Sequence, residues 1–584
     1  MTDVTQPDQT VTASAKPVPR PAFVFESLTF SDGTTLNFDE DEIVVFVGPN
    51  NAGKSATLKE MEALVARNDP QTVVNAATFR RTGTKDDLLA YLEAHSQRTG
   101  HSGNCHYAGL GFNIHNSYLH FFDNEADRHP LASFLCTRVA TENRIIASNP
   151  AGPIELYQSP ATHPIHLLLM DDKLAEKISS HFKHAFGQDL FPFRAGGSQY
   201  PLYVGIKPTK SVGEDELSKT FVTRLRKQAT PLEAQGDGMR SFATVLLYIL
   251  VADNHSIQFL DEPEAFLHPP QARLIGELIA RERKAKSQLF IATHSADVLE
   301  GLISGGANKV RIVRIQRHES VNRVKELSKE RTAEIASDTL TRYSNVFGGI
   351  FYQHVVICES DADCLFYSSI LKTNAVSGTR RADVLFIHAA GKHRMANLAV
   401  MLKELDVPVT VIADVDLLNV EHTFRKLLVT LGGSWDAVKG DWKALKTAIE
   451  SRKPPLNAEQ VAEMIRSELQ GVGGTEPFPK EKEKAINRIF KTVSPWDDVK
   501  RAGRAGLPQG EAVKKFDSIL MRCSTVGLSI VPEGELEGFC RSIDGGHGPG
   551  FVEKVLEHRD LDSDPELQGA RDFMADILRR ARQG

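Results

Sequence analysis

The sequence predicts an α/β chain with two chemical centres in series, and three observations carry that expectation. The apolar run 43–47 ends in Gly48-Pro49-Asn50-Asn51-Ala52-Gly53-Lys54-Ser55 and gives way to an amphipathic stretch. Two later apolar runs, 257–260 and 288–292, end in Asp261-Glu262 and Thr293-His294-Ser295. From residue 353 the alternation of apolar runs and helical stretches begins again, and its runs end in Glu359 and in Asp414-Val415-Asp416. Buried strands with polar residues at their C-terminal ends are how an open parallel sheet presents a ligand site.

At 584 residues the chain is too long for one hydrophobic core and is expected to hold two or three domains. Its 41% hydrophobic and 25% charged residues are ordinary for a globular protein. A net charge of −6 neither demands nor excludes a nucleic-acid partner, because a basic groove fits on an acidic protein. No apolar segment is long enough to span a bilayer and no signal-peptide pattern opens the chain, so a membrane partner is not expected. The six cysteines are scattered without a CxxC pair, which argues against a disulfide framework or a structural zinc and favours the cytoplasm.

Residues 1–20, rich in Thr, Gln, Pro and Ala, read as a disordered tail. Strands follow to residue 47, with Asp32-Gly33 as a hairpin turn. The strand, glycine-rich turn and helix around Gly48 are the context of a phosphate-binding loop. Gly48, Asn50, Asn51 and Gly53 would let backbone N–H groups curl around phosphate oxygens, at a helix N-terminus that adds positive potential. Lys54 would reach the β- and γ-phosphates of ATP, and Ser55 would place its hydroxyl on Mg²⁺. Between 70 and 230 the strands expected are 110–114 and 117–122, the helices 172–185 and 217–226, and no chemical motif stands out. His101, His106, His115 and His120 match no compact ligand spacing.

From 233 the signal is dense. Gly236-Asp237-Gly238 forms a polar turn before the apolar helix 242–251. Asp261 is the expected metal partner of the phosphate loop, and Glu262 the residue that orients attacking water. His294, at the next strand end, is positioned to sense the γ-phosphate. In this order the motifs resemble the ABC-type ATPase head, in particular those of the SMC and DNA-repair branch, over about 22–314. The resemblance implies that heads act in pairs, with Gly236, Asp237 and Gly238 closing over nucleotide held by the other copy. That family's turn begins with Ser where this chain has Gln235. A middle insertion at about 130–230 is implied to lie between the lobes, in a dimerisation region. Residues 312–343 read as a polar connecting helix.

In the second centre, alternation puts Asp414 and Asp416 on one side of an extended chain, with Glu359 opposite from the other strand. Oxygen ligands converging without His or Cys suit Mg²⁺ or Mn²⁺, and such a cluster serves phosphodiester cleavage. The arrangement resembles a Toprim domain over about 352–419. An ABC head followed by a Toprim domain resembles the OLD family of ATP-dependent endonucleases, which includes the Gabija-type phage-defence nuclease. The resemblance implies metal ligands at Glu359, Asp363, Asp414 and Asp416. A late acidic motif at Glu535 and Glu537 would complete the metal site, and Lys554 would be a catalytic lysine. Ser360 stands where the family has Gly.

The fold class expected is therefore an ABC-type P-loop ATPase domain at 21–345, then a Rossmann-like Toprim domain at 346–584 with helical insertions, chiefly 435–525. The expected function is an ATP- and Mg²⁺- or Mn²⁺-dependent endonuclease on DNA, a homodimer or larger, acting in defence with or without a partner protein. Two alternatives stay open: a repair-type ATPase whose Toprim-like domain is not catalytic, and an ATP-triggered nuclease of RNA such as tRNA.

Overall fold

The computed structural model describes residues 18–583 other than 102, 156–158, 196, 252–254, 284–286, 320, 338–344, 374–382, 453–456, 475–476, 493–494 and 544–545. Most of the tail read at 1–20, and part of the linker read to 343, lie outside the described residues. Two units are distinguished, Met1–Val324 with Ser328–Ala333, and Lys325–Leu327 with Glu334–Gly584.

The first unit begins with β1 (Ala22–Phe30), β2 (Thr35–Asn37), β3 (Glu42–Val47) and β4 (Val74–Thr82), of which β1 pairs antiparallel with β2 and β4. The turn at Asp32-Gly33 forms as expected, with Gly33 at φ 84° and the Thr34 N–H donating to Asp32 Oδ1 at 2.9 Å. β5 (Gln97–His101), β6 (Asn104–Gly109) and β7 (Phe112–His115) make a second antiparallel sheet. The strand expected at 117–122 is a 3-10 helix, Asn116–Asp123. Its buried positions, Leu119 and Phe122, are three apart, which fits a three-residue turn, and the His115 ring caps it by accepting from the Ser117 N–H.

The remaining strands of this part are β8 (Cys136–Val139), β9 (Asp189–Pro192), β10 (Leu202–Gly205), β11 (Ala229–Pro231), β12 (Ile257–Asp261), β13 (Gln288–Ala292), β14 (Val310–His318) and β15 (Val321–Leu327). The main sheet runs β15-β14-β3-β13-β12-β8, and the four pairings from β14 to β8 are parallel. β8, from the stretch read as an insertion, is thus a strand of the main sheet, while β9, β10 and β11 form a small sheet of their own. The connecting helix expected over 312–343 is corrected: Val310–His318 and Val321–Leu327 are strands, and among the described residues of that stretch the helix is Lys329–Ser337. Ile312, Val313 and Ile315 are fully buried, so burial in the sheet overrides the charged residues between them.

β3, β12 and β13 are buried along their whole length. Phe290 of β13 stacks on Phe259 and Phe46 with ring centroids 5.8 and 6.3 Å apart, and Phe25 of β1 meets it edge-on at 5.5 Å. Each such ring contributes about 1.5–3 kcal/mol by leaving water. This core fixes the C-terminal ends of β3, β12 and β13, where the motif residues sit.

The second unit holds a four-stranded parallel sheet ordered β17-β16-β18-β19: β16 (His354–Cys358), β17 (Val384–His388), β18 (Val409–Ala413) and β19 (Leu528–Ile530). Helices Asp361–Thr373 and Met395–Glu404 provide the crossovers. Between β18 and β19 the chain makes a helical excursion that includes Trp435–Arg452, Trp496–Ala502 and Glu511–Ser524. Among the described residues no helix is long and apolar enough to cross a membrane.

Candidate functional site

In the first unit, β3 delivers the loop at Gly48 directly into helix Lys54–Ala66. Gly48, Asn51 and Gly53 have φ of 137°, 63° and 100°, the left-handed geometry that curls the backbone. Lys54 Nζ donates to the carbonyls of Gly48 and Pro49 at 2.9 and 3.0 Å, so the ammonium stands over the loop. Burial lowers its pKa, and Glu262, Glu264 and Asp261 pull the other way. Ser55 Oγ donates to Asp261 Oδ1 at 2.8 Å, bringing together the hydroxyl and carboxylate assigned to Mg²⁺. Burial raises the Asp261 pKa, with the Ser55 hydrogen bond opposing it. Both oxygens are hard donors, as a nucleotide-bound Mg²⁺ requires.

Glu262 follows at φ 48°, a left-handed conformation that costs a non-glycine residue about 1–2 kcal/mol. Its N–H donates to Ala292 O of β13 at 2.7 Å, which ties it to the neighbouring strand. His294 Nδ1 lies 3.5 Å from Glu262 Oε1 and 3.2 Å from Glu264 Oε1. Glu264 accepts from Thr293 Oγ1 at 2.8 Å and from the His294 N–H at 2.8 Å. The structure thus brings Asp261, Glu262 and His294 together with Lys54 and Ser55. Gly236 caps helix Asp237–Val245, which continues as a π-helix over Leu246–Val251. Gly236 and Asp237 are exposed, and a Cβ on Gly238 would come within 2.7 Å of Phe266 O.

In the second unit, the C-terminal ends of β16, β18 and β19 converge on a cavity of about 380 Å³ whose lining includes Glu359, Asp363, Asp414, Glu535 and Glu537. One oxygen each from Glu359, Asp414 and Asp416 lies within 4.8 Å of the others, and a second group of the same kind is Glu535, Glu537 and His547. Glu359 Oε2 and Asp416 Oδ1 are buried without a hydrogen-bond partner. Buried acceptors left unpaired among carboxylates fit a divalent cation with oxygen ligands. Burial, then Asp416, raises the Glu359 pKa. Burial pushes Asp414 up to about 8 against the pull of Lys500. Asp363 lines the cavity but also closes a helix cap: the Ser360 N–H donates to its Oδ2 at 2.8 Å, and its own N–H donates to Ser360 Oγ at 3.2 Å.

Sequence reasoning passed over several residues of these sites. Lys500, on helix Trp496–Ala502, lies 3.0 Å from Asp414, 3.5 Å from Asp416 and 3.9 Å from Glu535. Burial opposes its charge, but those three carboxylates together raise its pKa. Lys392 Nζ donates to Asp416 Oδ2 at 2.8 Å. Lys554, by contrast, is exposed on helix Pro549–His558 and is not among the residues lining the cavity. In the first unit Arg144 is wholly buried, its Nη1 donating to Glu262 O at 2.5 Å and its Nη2 to Asp261 O. No local motif marks Lys500 or Arg144.

Residues 139–300 match a family described as an AAA domain (AbiEii toxin, Type IV TA system), and residues 350–416 match the family described as Overcoming lysogenization defect protein-like, TOPRIM domain. A curated relative, the Old nuclease of Escherichia phage P2, is 22% identical over 172 residues, 28% of this chain and 28% of that protein. The match thus spans less than a third of that relative's length. Among solved structures, the SMC head domain from Thermotoga maritima aligns at 11% identity over 53% of this chain and 100% of its own, with a TM-score of 0.28. The Smc head domain with an extended coiled coil from Pyrococcus furiosus aligns at 12% identity over 54% of this chain and 98% of its own, with a TM-score of 0.29. The fold assignment rests on the strand order and on the two family matches, which put an ATPase domain and a Toprim domain in one chain.

Proposed function

We propose that this chain, an OLD-family protein in its pairing of an AAA-type ATPase domain with an OLD-like Toprim domain, is an ATP-controlled endonuclease that cuts DNA. The observation that carries the reading is the meeting of Glu359, Asp414 and Asp416 at adjacent parallel strand ends, two of their oxygens buried and unpaired, beside Lys500.

In the ATPase centre Lys54 and the loop hold the triphosphate, Ser55 and Asp261 hold Mg²⁺, and Glu262 orients the attacking water beside His294. In the Toprim centre Glu359, Asp414 and Asp416 hold Mg²⁺ or Mn²⁺, and Glu535 and Glu537 extend the set. Bound there, the ion supplies Lewis-acid stabilisation and a more acidic water. Lys500 offsets the surplus negative charge of the carboxylates, and Lys392 fixes one oxygen of Asp416. The exposed turn at Gly236-Asp237 supports a homodimer in which the turn of one copy covers nucleotide on the other. The OLD-like match supports a role against phage or other mobile DNA, and the proposal puts that role in the cytoplasm, with or without a separate defence partner.

The test is the purified chain with plasmid DNA and, in parallel, total tRNA, each with Mg²⁺ or Mn²⁺ and with or without ATP. Metal-dependent cutting of plasmid, abolished by a chelator, is expected. Asp414→Ala with Asp416→Ala should lower it by about 100-fold or more and leave ATP hydrolysis intact. Undiminished cutting by that double variant would sink the nuclease assignment, and cutting of tRNA alone would move the reading to an RNA nuclease. The arms with and without ATP report whether nucleotide activates or restrains cutting.

A further inference from the structure

We propose that Arg144 is the positioning residue that sets Glu262 for ATP hydrolysis and links it to the helix carrying the glycine turn. The inference rests on the reading of Glu262 as the carboxylate that orients attacking water.

Arg144 has no exposed surface, and its guanidinium takes the carbonyls of Asp261 and Glu262, with Nη1 to Glu262 O at 2.5 Å. Among the described residues it makes no ion pair with a carboxylate within 4.0 Å, although Asp261, Glu262 and Glu264 supply the negative field that offsets its charge. A buried arginine in a structural ion pair would take a carboxylate face to face. This one takes two consecutive backbone carbonyls. Those carbonyls belong to the peptide planes on either side of the Glu262 Cα. Together with the Glu262 N–H bond to Ala292 O and the Ala265 N–H bond to Glu262 O, the two guanidinium bonds fix both planes and hold Glu262 at φ 48°, an uncommon value for a glutamate. The direction in which its side chain leaves the backbone is set by the same bonds.

The other end of Arg144 is also held. Thr244 Oγ1, on helix Asp237–Val245, donates to Arg144 O at 2.7 Å. Arg240, one turn earlier on that helix, donates from Nη2 to Ile145 O at 2.9 Å and to Asn149 Oδ1 at 3.1 Å. The segment 144–149 therefore hangs from the helix that begins at the exposed glycine turn, and its first side chain grips the backbone of Glu262. Movement of that helix when the turn is engaged reaches Glu262 through this guanidinium, beside a second route in which Ser241 Oγ donates to Ala265 O at 2.9 Å and the Ala265 N–H donates to Glu262 O at 2.9 Å.

Arg144→Met should lower kcat for ATP about 100-fold and change nucleotide affinity, read with a fluorescent ATP analogue, by less than about threefold. Arg144→Lys, able to hold one carbonyl at a time, should recover part of kcat. Thr244→Val keeps the guanidinium, frees its main chain and should lower kcat about fivefold without loss of thermal stability. Glu262→Gln is the control. If it hydrolyses ATP like the native chain, the reading of Glu262 fails. If it is inactive while Arg144→Met turns over within about twofold of native, or loses affinity and kcat in equal measure, the positioning role fails. Should Arg144→Met not fold, Thr244→Val decides: native kcat in a folded protein overturns the proposal.

Discussion

The ammonium of Lys500 stands 3.0 Å from Asp414 Oδ2, reaching it from a helix of the excursion that separates β18 from β19. With Lys392, which donates to Asp416 Oδ2, it supplies positive charge that lets these carboxylates share one cavity. Lys500→Met should leave those carboxylates unbalanced. Binding of Mn²⁺, measured by calorimetry, should tighten about tenfold, because the competing cation is gone. Plasmid cutting should nevertheless fall by about 100-fold if Lys500 also serves the scissile phosphate in the proposed reaction. Weaker metal binding in this variant would show that Lys500 does not balance the cluster.

Two glycines offer a contrast. A Cβ on Gly48 would lie 2.1 Å from Ile315 O, at a φ of 137° that other residues avoid. Gly48→Ala should destabilise the first unit by about 2–4 kcal/mol in urea unfolding and abolish nucleotide binding. Gly236 has φ −63° and open space where a Cβ would go. Gly236→Ala should keep native stability within about 0.5 kcal/mol yet lower ATP hydrolysis about tenfold, if the turn serves a second copy. Equal hydrolysis in native and variant protein would remove the turn from the mechanism.

Acid should cost the second unit stability at His354. Burial lowers the pKa of His354 to about 4, and its Nε2 lies 3.1 Å from Thr410 Oγ1 on the neighbouring strand. The unfolded chain binds the proton more readily than the folded one. The stability His354 contributes as a neutral ring is therefore complete above the unfolded value, near pH 6.5, and is lost as pH falls toward 4. At pH 5 the penalty is about 2 kcal/mol. His354→Gln should flatten the acid side of the stability curve between pH 6.5 and 4, followed by chemical unfolding at fixed salt. An unchanged slope would show that the ring does not titrate this way.

The motif residues were legible because each chemistry is local. Lys54 and Ser55 follow their glycines directly, and Asp261, Glu359 and Asp414 end apolar runs, so one strand positions each. Arg144, Glu264, Lys392 and Lys500 act through tertiary contact and read in sequence as solvated charges. β14 was hidden for a related reason. Its Arg311 pairs with buried Glu42 at 2.7 Å, and its Arg314 is buried and bonded to Gln316 at 2.7 Å, so charged residues inside the sheet mask the apolar pattern. The 3-10 helix at Asn116–Asp123 was missed because its two buried residues, three apart, fall within a run short enough to pass for a strand.

The strand order has a consequence for how the chain is made. β3 carries the phosphate loop, is buried along its whole length, and is hydrogen-bonded in the sheet to β13 on one side and β14 on the other. Those partners lie at Gln288–Ala292 and Val310–His318. During synthesis the nucleotide loop therefore leaves the ribosome on a strand with both edges bare, and neither edge is covered until the chain has grown past residue 310. The main sheet therefore closes late, and its earliest-made strand is the one that waits longest for both neighbours.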